Sequence, residues 1–251
     1  MEYREKTYDI HFVALFSKKA DAVPIISSHG WPGSFLEYLP QLNFVRQSYT
    51  EDTLPYHLII PSLPGFCLSS GPPKDKDFIV QDAAAILHQL MLNIGFGKSG
   101  YVATGGDIGA IISRMLGAKY KECKAVQLNF SGMRENPDLA SIPLSDADKK
   151  RMARAKQFLI TGHGYALEQG TRPATLGFVL ASNPLALLAW VGEKFLEWSD
   201  ETPHLNTILM DVTLYWFTQT MPRALYNYRQ EFGPHVKGHN LPELRIEKPF
   251  G

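Results

Sequence analysis

Apolar positions along this chain fall into two rhythms, and the rhythm changes about halfway. Asp9 to Phe16 and Pro24 to Ser28 are short apolar runs bounded by charged or turn residues, and Tyr56-His57-Leu58-Ile59-Ile60 is another, closed by Pro61. Runs of this length between turn signals predict strands. From Val80 to Ile94 the apolar residues Val80, Ala84, Leu87, Leu90, Met91 and Ile94 sit at helical spacing, with Gly95 placed to cap the end. Gly100-Tyr101-Val102-Ala103-Thr104 predicts a strand, Ile111, Ile112, Met115 and Leu116 a second helix, and Lys124 to Phe130 the next strand. Such alternation argues for an α/β fold, a mainly parallel sheet with helices on both faces.

From about Ser131 the pattern becomes helical throughout. Ser145 is placed to cap a helix that runs to about Ile160 and stops at Gly162. Asn183 and Pro184 read as cap and first residue of another, continuing through Trp190, Phe195 and Trp198. Asn206 to Thr220 and Arg223 to Phe232 predict two more. Leu244 to Gly251 resembles one further strand. The expected division is a core over residues 1–131, a helical insertion over 132–240 and a return strand over 241–251.

Composition narrows the function classes. Apolar residues make up 45% and charged residues 20%, and Lys plus Arg equals Asp plus Glu at 25 each. No basic track suggests nucleic acid or an anionic membrane surface. The longest apolar stretch, Phe178 to Val191, is interrupted by Ser182-Asn183-Pro184 and falls short of the ~18 residues that read as a membrane span. Cys67 and Cys123 stand in unrelated contexts, so neither a disulfide framework nor a metal site is implied, and no cofactor is expected. The polar N-terminus does not read as a signal peptide, and an intracellular, cytoplasmic location is the default expectation.

The chemistry concentrates at Gly105-Gly106-Asp107-Ile108-Gly109, where a strand pattern hands over to a helical one. Small residues flanking one functional side chain suit a sharp, strained turn that leaves that side chain exposed. Such a turn usually presents serine; here it presents a carboxylate, which points to displacement at a saturated carbon. A second candidate is His29-Gly30-Trp31-Pro32-Gly33-Ser34, following the run Pro24 to Ser28. Alone it reads equally as a Pro-Gly surface turn. Beside the elbow it reads as a loop whose free backbone N–H groups form an oxyanion hole.

Together these two motifs resemble the epoxide hydrolases of the α/β-hydrolase superfamily, in particular the microsomal-type branch. The resemblance continues through Pro61-Ser62-Leu63-Pro64-Gly65-Phe66, Gly71-Pro72-Pro73 and Cys123-Lys124-Ala125-Val126, and in the helical cap through Tyr165, Thr171-Arg172-Pro173, Pro184 to Trp190 and Leu214-Tyr215-Trp216. It implies an α/β-hydrolase core with an inserted cap, a small apolar epoxide and water as reactants, and Asp107 as nucleophile. Trp31 and Ile108 would supply backbone N–H groups to the oxyanion hole, with His29, Gly30 and Pro32 shaping the loop. Tyr165 and Tyr228 would donate to the epoxide oxygen, Tyr226 being the competing assignment for the second. A homodimer is compatible with this reading.

The family's hydrolytic step also needs a histidine base and a carboxylate that orients it, both beyond the strand that resembles Ile246 to Phe250. The chain ends there, and the expectation is the middle of an epoxide hydrolase, without the N-terminal extension or the terminal acid and histidine. It would then form the ester on Asp107 without completing hydrolysis. His163, His204, His235 and His239 are expected to face solvent. Alternatives are a non-catalytic truncated paralogue and a haloalkane dehalogenase-like enzyme, which places an indole beside the nucleophile where this chain has Ile108. A dinucleotide-binding protein is disfavoured, because that glycine register needs glycine at Thr104.

Overall fold

A computed structural model describes residues 1–73, 75–130, 143–232 and 245–251. A five-stranded sheet forms the centre, with β3 (Phe12–Leu15), β4 (Val23–Ser28), β5 (Tyr56–Pro61), β6 (Tyr101–Gly105) and β7 (Cys123–Leu128) in the spatial order β3-β5-β4-β6-β7. β3 runs antiparallel to β5 and the other pairs are parallel. After β4 the chain steps outward to β5, then returns across β4 to β6. The strand order therefore reverses beside β4, and in open sheets the crevice beyond the carboxyl ends at that point is where ligands bind. Ser28 and Gly105, the last residues of β4 and β6, are register partners, so the two segments leaving these strands start side by side.

Period-two alternation along β5 sends its side chains to opposite faces. Leu58 and Ile60 pack with Leu42 of α1 (Leu39–Ser48). Ile59 joins the main core with Leu87 and Met91 of α2 (Val80–Met91) and Ile112, Met115 and Leu116 of α3 (Ile108–Lys119). α1 did not stand out in the sequence because Leu42 is its one buried residue. The helix expected over Val80 to Ile94 ends at Met91 and widens into a single π turn, Leu92–Phe96, where Gly95 takes φ 101°.

Two other expectations are modified near the ends. The apolar run from Asp9 forms a strand only from Phe12, because the Asp9 and His11 N–H groups donate to the Ser70 and Ser69 hydroxyls instead of a ladder. Before it lies an unanticipated hairpin, β1 (Glu2–Tyr3) and β2 (Lys6–Thr7), tied to α2 by the Tyr3 hydroxyl donating to Asp82 at 2.7 Å. The strand expected over Leu244 to Gly251 is reduced to one parallel bridge between Phe250 and Val126, Leu244 lying outside the described residues. Val126 donates to the Pro249 carbonyl and Gly251 to the Val126 carbonyl, but Pro249 has no N–H to carry the ladder further.

The second half is helical among its described residues. α4 (Asp146–Thr161) begins at Ser145, whose hydroxyl accepts from the Asp148 N–H, and ends at Gly162. α5 (Gly164–Thr171), α6 (Pro173–Ser182), α7 (Pro184–Trp198) and α8 (Leu205–Thr218) follow, with the Asn183 side chain accepting from the Leu185 N–H at the start of α7. No single described helix is long and apolar enough to cross a membrane; α6 and α7 reach that length only together, bent by 115°. The helix expected over Arg223 to Phe232 is instead α9 (Met221–Ala224), a 3-10 turn at Leu225–Tyr228 and α10 (Arg229–Phe232). Pro222 suits a first helical turn, and the tightening after Ala224 turns Leu225, Asn227 and Tyr228 inward.

Candidate active site

Asp107 occupies the turn between β6 and α3 with φ 52° and ψ −124°, a conformation that costs a non-glycine residue energy and persists only where the surroundings enforce it. The surroundings are glycines at contact distance. A Cβ on Gly109 would sit 1.9 Å from the Ser28 carbonyl oxygen, and one on Gly105 would sit 2.5 Å from the Gly109 backbone. A Cβ on Gly30, across the crevice, would lie 2.5 Å from Asp107 Oδ1. No larger residue fits at these three places without moving the elbow.

The loop leaving β4 meets this turn from the neighbouring strand. The Trp31 N–H donates to Asp107 Oδ1 at 2.8 Å, and the Ile108 N–H donates to the same carboxylate. Burial raises the Asp107 pKa, and these two donors oppose the rise. His29 is fully buried beneath the loop, Nδ1 donating to the Gly30 carbonyl at 3.0 Å and Nε2 accepting from the Leu63 N–H at 3.1 Å. Burial pushes His29 down to about 4, so it stays neutral and braces the loop. The Trp31–Pro32 peptide bond is cis. Gly33 and Ser34 tie the loop to α8, the Gly33 carbonyl accepting from the Tyr215 hydroxyl at 2.7 Å and the Ser34 hydroxyl donating to buried Asp211.

Tyr165, in the first turn of α5, and Tyr228, at the end of the 3-10 turn, come together over Trp31. Their phenols share a hydrogen bond, and their rings meet at 5.8 Å and 77°. The Trp31 ring stacks on Tyr165 at 5.3 Å and 6°, and meets Tyr228 edge-on at 5.8 Å. Burial and then the charge of Asp107 raise both phenols, Tyr165 to about 12. Both are protonated donors at neutral pH. Tyr226 points elsewhere, into a separate cavity of about 370 Å³ that it lines with Arg4, Phe78 and Arg229.

Some residues of this region were not anticipated. His163, expected to face solvent, is half-buried against the rings of Phe158, Tyr165 and Phe232, and burial lowers its pKa. His204 accepts from the Asn206 N–H at the start of α8, while His235 and His239 lie outside the described residues. Lys194 is buried among Tyr165, Trp190 and Trp198. The spacing Trp190, Lys194, Trp198 along one helical face was the available signal for it. Glu37 reaches solvent in part, yet its carboxyl folds back over Gly33 and is pushed up to about 8 by desolvation, then by Asp211 and Asp107.

Comparison with known proteins is consistent along the chain. Residues 2–38 match the family model described as epoxide hydrolase N terminus, and residues 23–155 match that of the alpha/beta hydrolase fold. A Dothistroma septosporum protein provisionally named as an epoxide hydrolase is 45% identical over 249 residues, covering 98% of this chain and 58% of that protein. The structure of Aspergillus niger epoxide hydrolase superposes with a TM-score of 0.91 at 50% identity, covering 100% of this chain and 63% of that one. Juvenile hormone epoxide hydrolase from Bombyx mori shares the fold, with a TM-score of 0.84 at 24% identity over 97% of this chain and 63% of that one. The chain thus spans less than two thirds of the length of these relatives.

Proposed function

The chain belongs to the epoxide hydrolases of the α/β-hydrolase superfamily, and from that premise we propose that it opens small apolar epoxides through an ester formed on Asp107. A carboxylate oxygen of Asp107 attacks an epoxide carbon, the new C–O bond forms, and the ring C–O bond breaks with its electron pair passing to the epoxide oxygen. That oxygen takes a proton from the Tyr165–Tyr228 pair. The single observation that supports this most is the convergence of one carboxylate, two backbone donors and two hydrogen-bonded phenols around the Trp31 ring. Aromatic faces around the phenols suit an apolar substituent on the epoxide.

In the second step water would attack the Asp107 carbonyl, and the Trp31 and Ile108 N–H groups, which meet the Asp107 carboxylate, would donate to the oxyanion that results. A general base typically contributes ~10²- to 10⁴-fold to such a step. Five of the six described histidines have hydrogen-bonded ring nitrogens: His11 with Ser62, His29 with Gly30 and Leu63, His57 with Ser17, His88 with Tyr101 and His204 with Asn206, while His163 packs edge-on against Tyr165. We propose that none of the described histidines serves as this base, so that ester formation on Asp107 outruns diol release. With styrene oxide in excess, consumption should reach about one equivalent per chain and then slow steeply. Sustained diol release would overturn the stalled second step, and a folded chain that consumes no epoxide would overturn the reading as a whole.

A haloalkane dehalogenase-like activity has one observation in its favour, a buried Trp31 Nε1 without a hydrogen-bond partner that could meet a departing halide. The paired phenols favour an alkoxide, and chloride release from a short chloroalkane would decide for the alternative.

A further inference from the structure

Lys194 is the only buried lysine among the described residues, 5% exposed. Its ammonium lies 5.1 Å from the centre of the Tyr165 ring, 5.2 Å from that of Trp190 and 5.7 Å from that of Trp198, and it pairs with the half-exposed Glu193. The box is itself fixed. Trp190 donates its indole N–H to Gln169 at 3.0 Å, and Trp198 packs on Tyr165 at 4.9 Å. Withdrawing an ammonium from water is costly, and three aromatic faces compensate it through their negative quadrupoles. An apolar residue would fill the same space at lower cost, so the cation calls for an explanation beyond packing.

We propose that Lys194 is a positioning residue for Tyr165, its ammonium polarising and orienting that phenol as donor to the epoxide oxygen. This rests on the proposed role of Tyr165. Charge on a phenolate spreads into its ring, so a cation at the ring stabilises the phenolate more than the phenol. Burial and the charge of Asp107 act the other way, making Tyr165 a weaker acid. Lys194 offsets part of that penalty without touching the substrate.

The test follows the rate of covalent adduct formation by intact mass in the full chain, with two epoxides. 1,2-Epoxybutane leaves a strongly basic alkoxide, and trifluoromethyl oxirane leaves a weakly basic one that needs less acid assistance. Lys194→Met should slow alkylation by 1,2-epoxybutane roughly ten- to thirtyfold, the range of a desolvated cation–π contact, and alkylation by the fluorinated epoxide much less. Lys194→Arg should restore most of the rate. In a Tyr165→Phe background Lys194→Met should have little further effect, as for two residues acting through one group. An equal loss with both epoxides, no rescue by Arg, or an undiminished loss in the Tyr165→Phe background would overturn the proposal and leave Lys194 as packing. Should Lys194→Met fail to fold, Lys194→Gln carries the same comparison. Failure of the unsubstituted chain to alkylate with either epoxide would instead overturn the role of Asp107, and is seen before any variant is made.

Discussion

Replacing Asp211 with Asn tests the electrostatics beneath the Trp31 loop. Asp211 is 4% exposed; Oδ1 accepts from the Ser34 hydroxyl and Oδ2 has no partner. Burial pushes its carboxyl up from 3.8 to about 7, with the Ser34 hydrogen bond pulling the other way. A folded pKa above the unfolded one means that the fold holds a proton the unfolded chain has released. The stabilisation is complete below about pH 4, declines as pH rises to about 7 and is flat beyond. At about 1.36 kcal/mol per pH unit, that interval amounts to about 4 kcal/mol at most. Asparagine keeps the acceptor for Ser34 and cannot ionise. In urea denaturation between about pH 5 and about pH 8, the stability of Asp211→Asn relative to the natural chain should climb with pH and level off near neutrality. Parallel pH profiles would refute the argument, because Asp211 would then titrate alike in both states.

Three further outcomes are expected at the elbow and above it. Gly30→Ala places a Cβ where Asp107 Oδ1 now sits within 2.5 Å, and should slow alkylation by about 10²-fold or more with the fold retained, as expected for a displaced nucleophile; an unchanged rate would show that the loop yields freely. Tyr165→Phe and Tyr228→Phe should each slow alkylation by roughly 10- to 100-fold, and the double variant should show no adduct above background on the same time scale; a double variant as fast as either single one would contradict proton donation by the pair. The alkylation rate should rise with pH through the raised pKa of Asp107, since only the carboxylate attacks, and a rate constant across the acid range would show that burial does not perturb it.

What could be read from sequence was what local chemistry encodes. Ser145 as a cap and Asn183 before Pro184 act within a few residues of themselves, and each is where its pattern implies; the glycines around Asp107 lie at the turn their spacing implies. The α/β alternation was legible because apolar runs and helical spacing differ in period. α1 was hidden by its polar surface, and the short α5 and α6 by the lack of a long periodic face. Long-range geometry was not legible. Nothing in the spacing of Trp31, Tyr165 and Tyr228 says that their rings meet; only the family resemblance suggested a shared site for them. The role of Asp211 depends on what buries it, which no local pattern records, and for Lys194 the i, i+4 spacing of Trp190, Lys194 and Trp198 was the one local signal.

Peptide mapping of the chain after brief exposure to styrene oxide tests the central claim most directly. A single adduct equal to the mass of one epoxide is expected, carried by the peptide that contains Asp107 and absent in Asp107→Asn. An adduct on any other residue, or one that persists in Asp107→Asn, would contradict the assignment of Asp107 as the nucleophile.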